Sequence, residues 1–394
     1  MSIREIKKGI FYVGAIDWDR RLFDELIPLP DGTSYNAYLI QGKTKVALID
    51  TVEPTKENEL INNLKELKVE KIDYIIPNHA EQDHSGVIPK ILEIYPDSKV
   101  VTNPKCKEFL KDLLLIPDEK FQVVNDKDTL SLGDKTLEFI IAPWVHWPET
   151  MLTYLIEDRI LFPCDLFGSH LATSNLYARD EVKVYESAKR YYAEIMMPFR
   201  NNIKKHIEKL NNYKIEIIAS SHGPIYDKPE FILNAYNDWI SDDVKNEVVL
   251  PYVSMHGSTQ KMVQYFIDEL MKRNITVKPF NLPKTDIGEL AIALVDTATV
   301  VLATPTVLVG PHPTAVYATY LLNALRPKVK FISVIGSYGW GGKMLELIKG
   351  MLTNINTEII EPVIIKGYPK ENDFKALNKL ADDIFKKHKE IKII

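Results

Sequence analysis

The chain has 394 residues, 45% of them hydrophobic and 26% charged, with a net charge of −5. That length exceeds one ordinary core, so two domains are expected, and the composition excludes a disordered or fibrous chain. Without a basic patch nucleic acid is not expected as a partner, and without a long apolar run or a signal-peptide core in MSIREIKKGIFYVG neither a membrane span nor export is expected.

The expected location is therefore cytoplasmic, with Cys106 and Cys164 reduced. In chain order, YNAYLIQG and TKVALIDT read as a β-hairpin, and ENELINNLKELK as an amphipathic helix. KIDYIIPNH is a strand that runs into His79-Ala80-Glu81-Gln82-Asp83-His84, which falls on a loop. TLSLGDKTLEFIIAPW and TYLIEDRILFPCD are two more hairpins, the first leading to His146 and the second ending at Asp165. IEIIASSHG is a strand ending at His222. Polar residues gathered on loops at strand ends fit a layered β scaffold with a site on its rim.

The composition changes around residues 241–250, where polar SDDVKNE reads as a linker. Beyond it VVLPYVS, TVKPFNL, TATVVLATP, KVKFISVIGS and NTEIIEPVII read as strands. QKMVQYFIDELMKR, PTAVYATYLLNALR, GKMLELIKGMLT and FKALNKLADDIFKK read as helices among them. Such alternation predicts a parallel sheet covered on both faces. The division is set at residues 1–248 and 249–394.

Four histidines of nine join three carboxylates in the first part: His79, Glu81, Asp83, His84, His146, Asp165 and His222. A lone histidine is more often structural, so His206 in KKHIEKL and His388 in KKHKE are read as solvated. The cluster is different, because H-x-E-x-D-H packs four potential ligands into six residues. Imidazole and carboxylate without thiolate suit iron, manganese or zinc. Seven ligands are enough for two metals sharing one carboxylate, roughly 3.5–4 Å apart. Cys164 adjoins Asp165, but its expected role is buried apolar filler.

H-x-E-x-D-H resembles the H-x-H-x-D-H signature of metallo-β-lactamase-like proteins, with Glu81 where the zinc hydrolases carry histidine. With His146-Trp147-Pro148, Asp165 and Ser221-His222-Gly223, it resembles the pattern of the flavodiiron proteins, or A-type flavoproteins. The resemblance covers nearly the whole chain. It implies an α/β protein: an N-terminal metallo-β-lactamase-like αββα sandwich and a C-terminal flavodoxin-like, doubly wound parallel sheet. It implies two irons, one held by His79, Glu81 and His146, the other by Asp83, His84 and His222, with Asp165 bridging. Tyr192 aligns with a tyrosine just outside the ligands in that family; a plain helix-face aromatic is the competing reading. His170 either lines the pocket or packs behind it.

In the second part, Ser254, Met255, His256, Gly257, Ser258 and Thr259 form a small-residue loop opening a helix, a geometry that binds phosphate. The loop resembles that of flavodoxin and implies FMN. Thr304-Pro305-Thr306 and Ser337-Tyr338-Gly339-Trp340-Gly341-Gly342 are expected in loops after the third and fourth strands, completing the crevice. His256 and Leu308-Val309 depart from the usual flavodoxin pattern at the ring contacts.

The resemblance implies reduction of dioxygen by four electrons to water, or of nitric oxide to nitrous oxide. Its functional unit is a head-to-tail homodimer in which the FMN of one subunit faces the irons of the other, with a dimer of dimers as a larger form. The chain ends soon after its last helix, so a fused rubredoxin is not expected. The loop around His256 resembles the methanogen enzymes that oxidise reduced coenzyme F-420, the favoured donor over a separate rubredoxin. A zinc hydrolase fused to flavodoxin and an electron carrier with a vestigial first domain are the rivals. Glu81 argues against the first and the complete ligand set against the second.

Overall fold

The β-rich segments before residue 240 assemble into two facing sheets. In this computed structural model, which describes residues 3–394, they belong to a unit ending at Ile240, and Ser241–Ile394 forms most of a second. The first sheet has seven strands in the order Arg4–Lys7, Ile10–Tyr12, Tyr38–Gln41, Val46–Ile49, Tyr74–Ile76, Lys99–Thr102, Phe121–Val123. Its pairings are antiparallel up to Val46–Ile49 and parallel beyond. The second sheet runs Thr129–Ser131, Thr136–Ile141, Met151–Leu155, Ile160–Phe162, Ile217–Ile218. Its first four strands are antiparallel neighbours and the last pair is parallel.

Strand alternation sorts the side chains into layers. Ile40, Ile49 and Ile76 of the first sheet meet Phe139, Met151 and Phe162 of the second in one buried cluster. On the other face of the first sheet, Leu39, Leu48 and Ile75 pack with Leu60, Ile88 and Leu110 of three helices, Glu57–Glu66, Ile88–Ile94 and Pro104–Leu114. Helix Arg200–Leu210 is tied to the second sheet's loops by Lys209, whose Nζ donates to Asp126, and by His206 Nε2, 3.1 Å from the Pro143 carbonyl. His206 is thus half-buried and bonded, not solvated as expected.

In the second unit the parallel sheet runs Thr276–Asn281, Lys245–Tyr252, Thr297–Val307, Phe331–Tyr338, followed by Glu358–Ile359 and Val363–Lys366. In chain order this is 2-1-3-4-5, which opens a crevice at the carboxyl ends of strands one and three. Met262 and Phe266 of helix Ser258–Met271 and Leu377 and Ile384 of helix Glu371–Glu390 cover one face. Leu290, Leu322 and Ile348 of three further helices meet Val300, Leu302 and Ile332 on the other.

Several expectations change. The first strand starts at Lys245, inside the segment read as linker, where the Lys245 N–H donates to the Asp296 carbonyl. Thr304, Pro305 and Thr306 lie inside the third strand, and Ser337 and Tyr338 inside the fourth, not in loops after them. NTEIIEPVII splits into two strands around Glu361-Pro362, because proline has no N–H to give to the ladder. IEIIASSHG is regular only at Ile217–Ile218; Ala219 and Ser221 then donate singly to Leu161 and Cys164 carbonyls. His388 is fully buried, with Nε2 2.7 Å from Thr299 Oγ1 and Nδ1 2.8 Å from Asn246 Oδ1. No helix among the described residues is long and apolar enough to cross a membrane.

Candidate functional site

Each segment of the constellation leaves the carboxyl end of a strand. His79 follows Tyr74–Ile76, and the motif closes in a helical turn, Gln82–Ser85, where a loop was expected. The turn carries Asp83 and His84 inward, leaving Glu81 at its N-terminal edge. His146 follows Thr136–Ile141, Asp165 follows Ile160–Phe162 and His222 follows Ile217–Ile218. Buried hydrogen bonds tie these ends together. Asp50 accepts from the Asn78 N–H at 2.7 Å and the Ser221 hydroxyl at 3.3 Å, and Asn36 Nδ2 donates to the Ser220 and Gly223 carbonyls.

The seven side chains converge as two groups. His79 Nε2 and His146 Nε2 lie 3.0 and 3.1 Å from Glu81 Oε2, and 3.7 and 3.4 Å from Asp165 Oδ2. His84 Nε2 and His222 Nε2 lie 3.3 and 3.2 Å from Asp83 oxygens, and 3.0 and 3.3 Å from Asp165 Oδ1. One oxygen of Asp165 therefore faces each group. Both groups have the composition and spacing to hold a metal ion.

The hydrogen bonds behind the histidines set their tautomers. His79 Nδ1 is 2.6 Å from Glu149 Oε1 and His222 Nδ1 is 2.6 Å from the Ser34 carbonyl. Both partners are acceptors, so the proton sits on Nδ1 and the Nε2 lone pair points into the cluster. That is the orientation a metal needs. Both Asp83 oxygens and Asp165 Oδ2 are buried without a well-aligned hydrogen bond. Buried anionic oxygens are costly unless a cation meets them.

The electrostatics agree. Burial disfavours a charged His222, yet the Asp165 and Asp83 carboxylates outweigh it and lift its pKa to about 10. His146 rises to about 9 against its burial, through Asp165 and Glu81. Burial opposes ionisation of Asp165, but the surrounding imidazoles hold it well below the usual carboxylate range. Without a metal the cluster draws protons to supply the missing positive charge. Cys164 lies within reach of His84 and Asp165. Burial raises its thiol well above the ordinary value, so it stays protonated and is a poor ligand.

In the second unit a cleft of about 200 Å³ is lined by Ser254, Met255, His256, Ser258, Thr259, Pro305, Thr306, Ser337, Tyr338, Gly339 and Gly367. Gly257 precedes helix Ser258–Met271 at φ +85° with no side-chain cap. The Ser254 hydroxyl accepts from the Gln260 N–H at 3.1 Å, which leaves the N–H groups of Ser258 and Thr259 for a ligand in the cleft, and no acidic residue stands in the first turn. That suits a phosphate. Thr304 is buried behind the cleft, where its hydroxyl accepts from the His312 N–H. Trp340 is 75% exposed and does not line the cleft, nor do Gly341 and Gly342. Leu308 and Val309 occupy an exposed turn at positive φ.

Residues 33–223 match the family described as ODP family beta lactamase. The chain is 37% identical to a nitric oxide reductase of Moorella thermoacetica, over 96% of this chain and 97% of that protein. It is 33% identical to a coenzyme F420H2 oxidase of Methanocaldococcus jannaschii, over 99% and 98%. The structure of rubredoxin oxygen:oxidoreductase from Desulfovibrio gigas superposes with a TM-score of 0.94 at 29% identity, covering 98% of this chain and 99% of that one. A flavo-diiron protein of Clostridium acetobutylicum is 31% identical over 98% of this chain and all of its own length. The chain belongs to the flavodiiron proteins.

In this flavodiiron chain one expectation shifts by a residue. The Tyr192 hydroxyl donates to the Trp239 carbonyl, whereas the Tyr191 hydroxyl donates to Asp165 Oδ1 at 2.8 Å. His170 packs behind the second group, its ring centroid 4.8 Å from that of His222, with Nδ1 2.8 Å from Thr33 Oγ1. Glu149, Ser34, Asp50 and Asn78 escaped sequence reasoning, since nothing local marks a residue whose partner lies tens of positions away. Asp24 escaped it too. It stands at the turn of a small hairpin near Glu81 and Asp83, where partial burial and then their charges push its pKa up to about 6.

Proposed function

We propose that this protein reduces dioxygen by four electrons to water at a two-iron centre, with FMN relaying electrons from the reduced deazaflavin coenzyme F-420. The observation that carries the reading is the pair of three-residue groups sharing Asp165. His79, Glu81 and His146 would hold one iron and Asp83, His84 and His222 the other, with Asp165 shared between them. Ser254, Met255, His256, Gly257, Ser258 and Thr259 take the FMN phosphate side. Pro305, Thr306, Ser337, Tyr338 and Gly339, which line the same cleft, border the ring. The relative named coenzyme F420H2 oxidase supports the donor.

When bound, the iron pair supplies two electrons and a place for a diatomic, and reduced FMN supplies two more. The chain's own residues prepare that chemistry. Glu149 and the Ser34 carbonyl hold His79 and His222 with Nε2 turned inward. Tyr191 donates to the shared carboxylate and restrains its rotation. The second group is buried on all sides, while Glu81 and His146 retain 15% and 17% side-chain exposure. A small gas is therefore admitted on the Glu81–His146 side.

The chain acts as a homodimer in the cytoplasm, with a dimer of dimers as the larger assembly. The 37%-identical relative named nitric oxide reductase supports a second reading, in which two nitric oxide molecules are reduced to nitrous oxide and water; a relative named rubredoxin-oxygen oxidoreductase supports rubredoxin as the donor in that reading. Anaerobic stopped flow on iron- and FMN-loaded protein decides. Two reduced coenzyme molecules consumed per dioxygen, without peroxide, is the expected result. No flavin reduction by that donor, with nitric oxide turnover restored by reduced rubredoxin, selects the second reading.

A further inference from the structure

The two metal subsites are balanced in their direct ligands. Each has two imidazoles, one carboxylate of its own and one oxygen of Asp165. What stands around those ligands is unlike: the Tyr191 hydroxyl donates to Asp165 Oδ1, the oxygen facing the second group, and the groups behind the histidines differ. His79 Nδ1 is 2.6 Å from Glu149 Oε1, and both side chains are completely buried. Glu149 Oε1 also accepts from the Ala80 N–H at 3.0 Å, which fixes the carboxylate against the motif's backbone. Asn103 Nδ2 donates to the Glu149 carbonyl at 2.6 Å and anchors its main chain. Glu149 Oε2 is buried without a partner, so His79 is the one side chain that the carboxylate meets through a hydrogen bond, beside the Ala80 N–H. In the other subsite, His222 Nδ1 meets only a neutral carbonyl, and His84 Nδ1 is buried with no partner.

A carboxylate behind a ligating histidine raises the basicity of the metal-facing nitrogen and fixes the ring. A neutral carbonyl fixes the ring with less gain, and an unpartnered nitrogen does neither. We infer that Glu149 is a positioning residue that makes the His79–Glu81–His146 subsite the tighter of the two, so that the metals load in order and the Asp83–His84–His222 subsite is the exchangeable one. This rests on the two-metal reading above.

The test is an anaerobic equilibrium titration of metal-free, FMN-containing protein with Co²⁺, followed by its visible ligand-field bands. Equilibrium is needed because the second subsite lies deeper. The wild type is expected to bind two equivalents in separate phases. Glu149→Gln keeps the size and an oxygen that can accept from Ala80 and His79, but removes the charge. It is expected to weaken the first phase by about 10–100-fold, leave the second unchanged and change the bands of the first equivalent. A purely structural role would move neither the bands nor one phase selectively. Should the Gln variant not fold, Glu149→Asp, which withdraws the charge by one methylene, carries the same expectation. Two wild-type equivalents with no change in the variant, or with equal loss in both phases, overturn the inference and leave the two-metal reading standing. Fewer than two equivalents in the wild type overturns both.

Discussion

Asp165 is the residue on which the site turns, since one oxygen serves each group. Asp165→Ala is expected to reduce bound iron below one per chain, checked by metal analysis after desalting. Tyr191→Phe removes the hydroxyl bonded to that carboxylate and is expected to lower oxidase activity or iron affinity about 10–100-fold. Tyr192→Phe, whose hydroxyl faces the Trp239 carbonyl, is expected to cost less at the metals. Steady-state turnover beside iron content separates the two. The seven clustered side chains were legible in the sequence because their chemistry is concentrated: four potential ligands in six residues, then single residues at strand ends. Tyr191 was not, because adjacent helical residues point about 100° apart and a short aromatic pair leaves the register open. Glu149 stands three residues after His146 and looks ordinary until the fold brings it to His79.

Among the elements, the turn at Gly223 and the last helix make separate predictions. Gly223 has φ +77°, and a Cβ there would meet Ser169 Oγ at 2.1 Å and the Ser169 carbonyl at 2.7 Å. Gly223→Ala is expected to destabilise the first unit by at least about 2 kcal/mol and displace His222, read as a lower melting temperature and lost metal. In the last helix, burial lowers the His388 pKa from 6.5 to about 4. The unfolded chain then binds the proton first as pH falls. The contribution is complete above pH 6.5 and is lost as pH drops from there towards 4. His388→Gln is expected to flatten that part of the melting-temperature profile relative to the wild type; parallel profiles would contradict it. A signal for this burial was present, since His388 continues the apolar stripe of Leu377, Ala381 and Ile384 at helical spacing, but the lysines around it masked the period. The strands and most helices of the second unit were legible because apolar runs alternate with helical patterns. Helices Pro104–Leu114 and Glu181–Tyr191 were not, because each buries few apolar side chains, Cys106 and Leu110 in the first and Val184, Ala188 and Tyr191 in the second, so few positions mark the buried face.

At the scale of the whole molecule, the chain pairs a unit with two carboxylate-bridged ligand groups and a unit with a phosphate-binding cleft. The architecture was legible because each half carries its own motif: H-x-E-x-D-H with its distant partners, and a Gly/Ser loop opening a helix. In the proposed function one chain stores the four electrons dioxygen needs, two on FMN and two on iron. An anaerobic reductive titration, followed by one equivalent of dioxygen, tests it most directly. Four electron equivalents taken up per chain, one dioxygen consumed per fully reduced chain and no hydrogen peroxide are the expected result. Uptake of only two equivalents, all on the flavin, or release of peroxide in proportion to the dioxygen consumed, would contradict it.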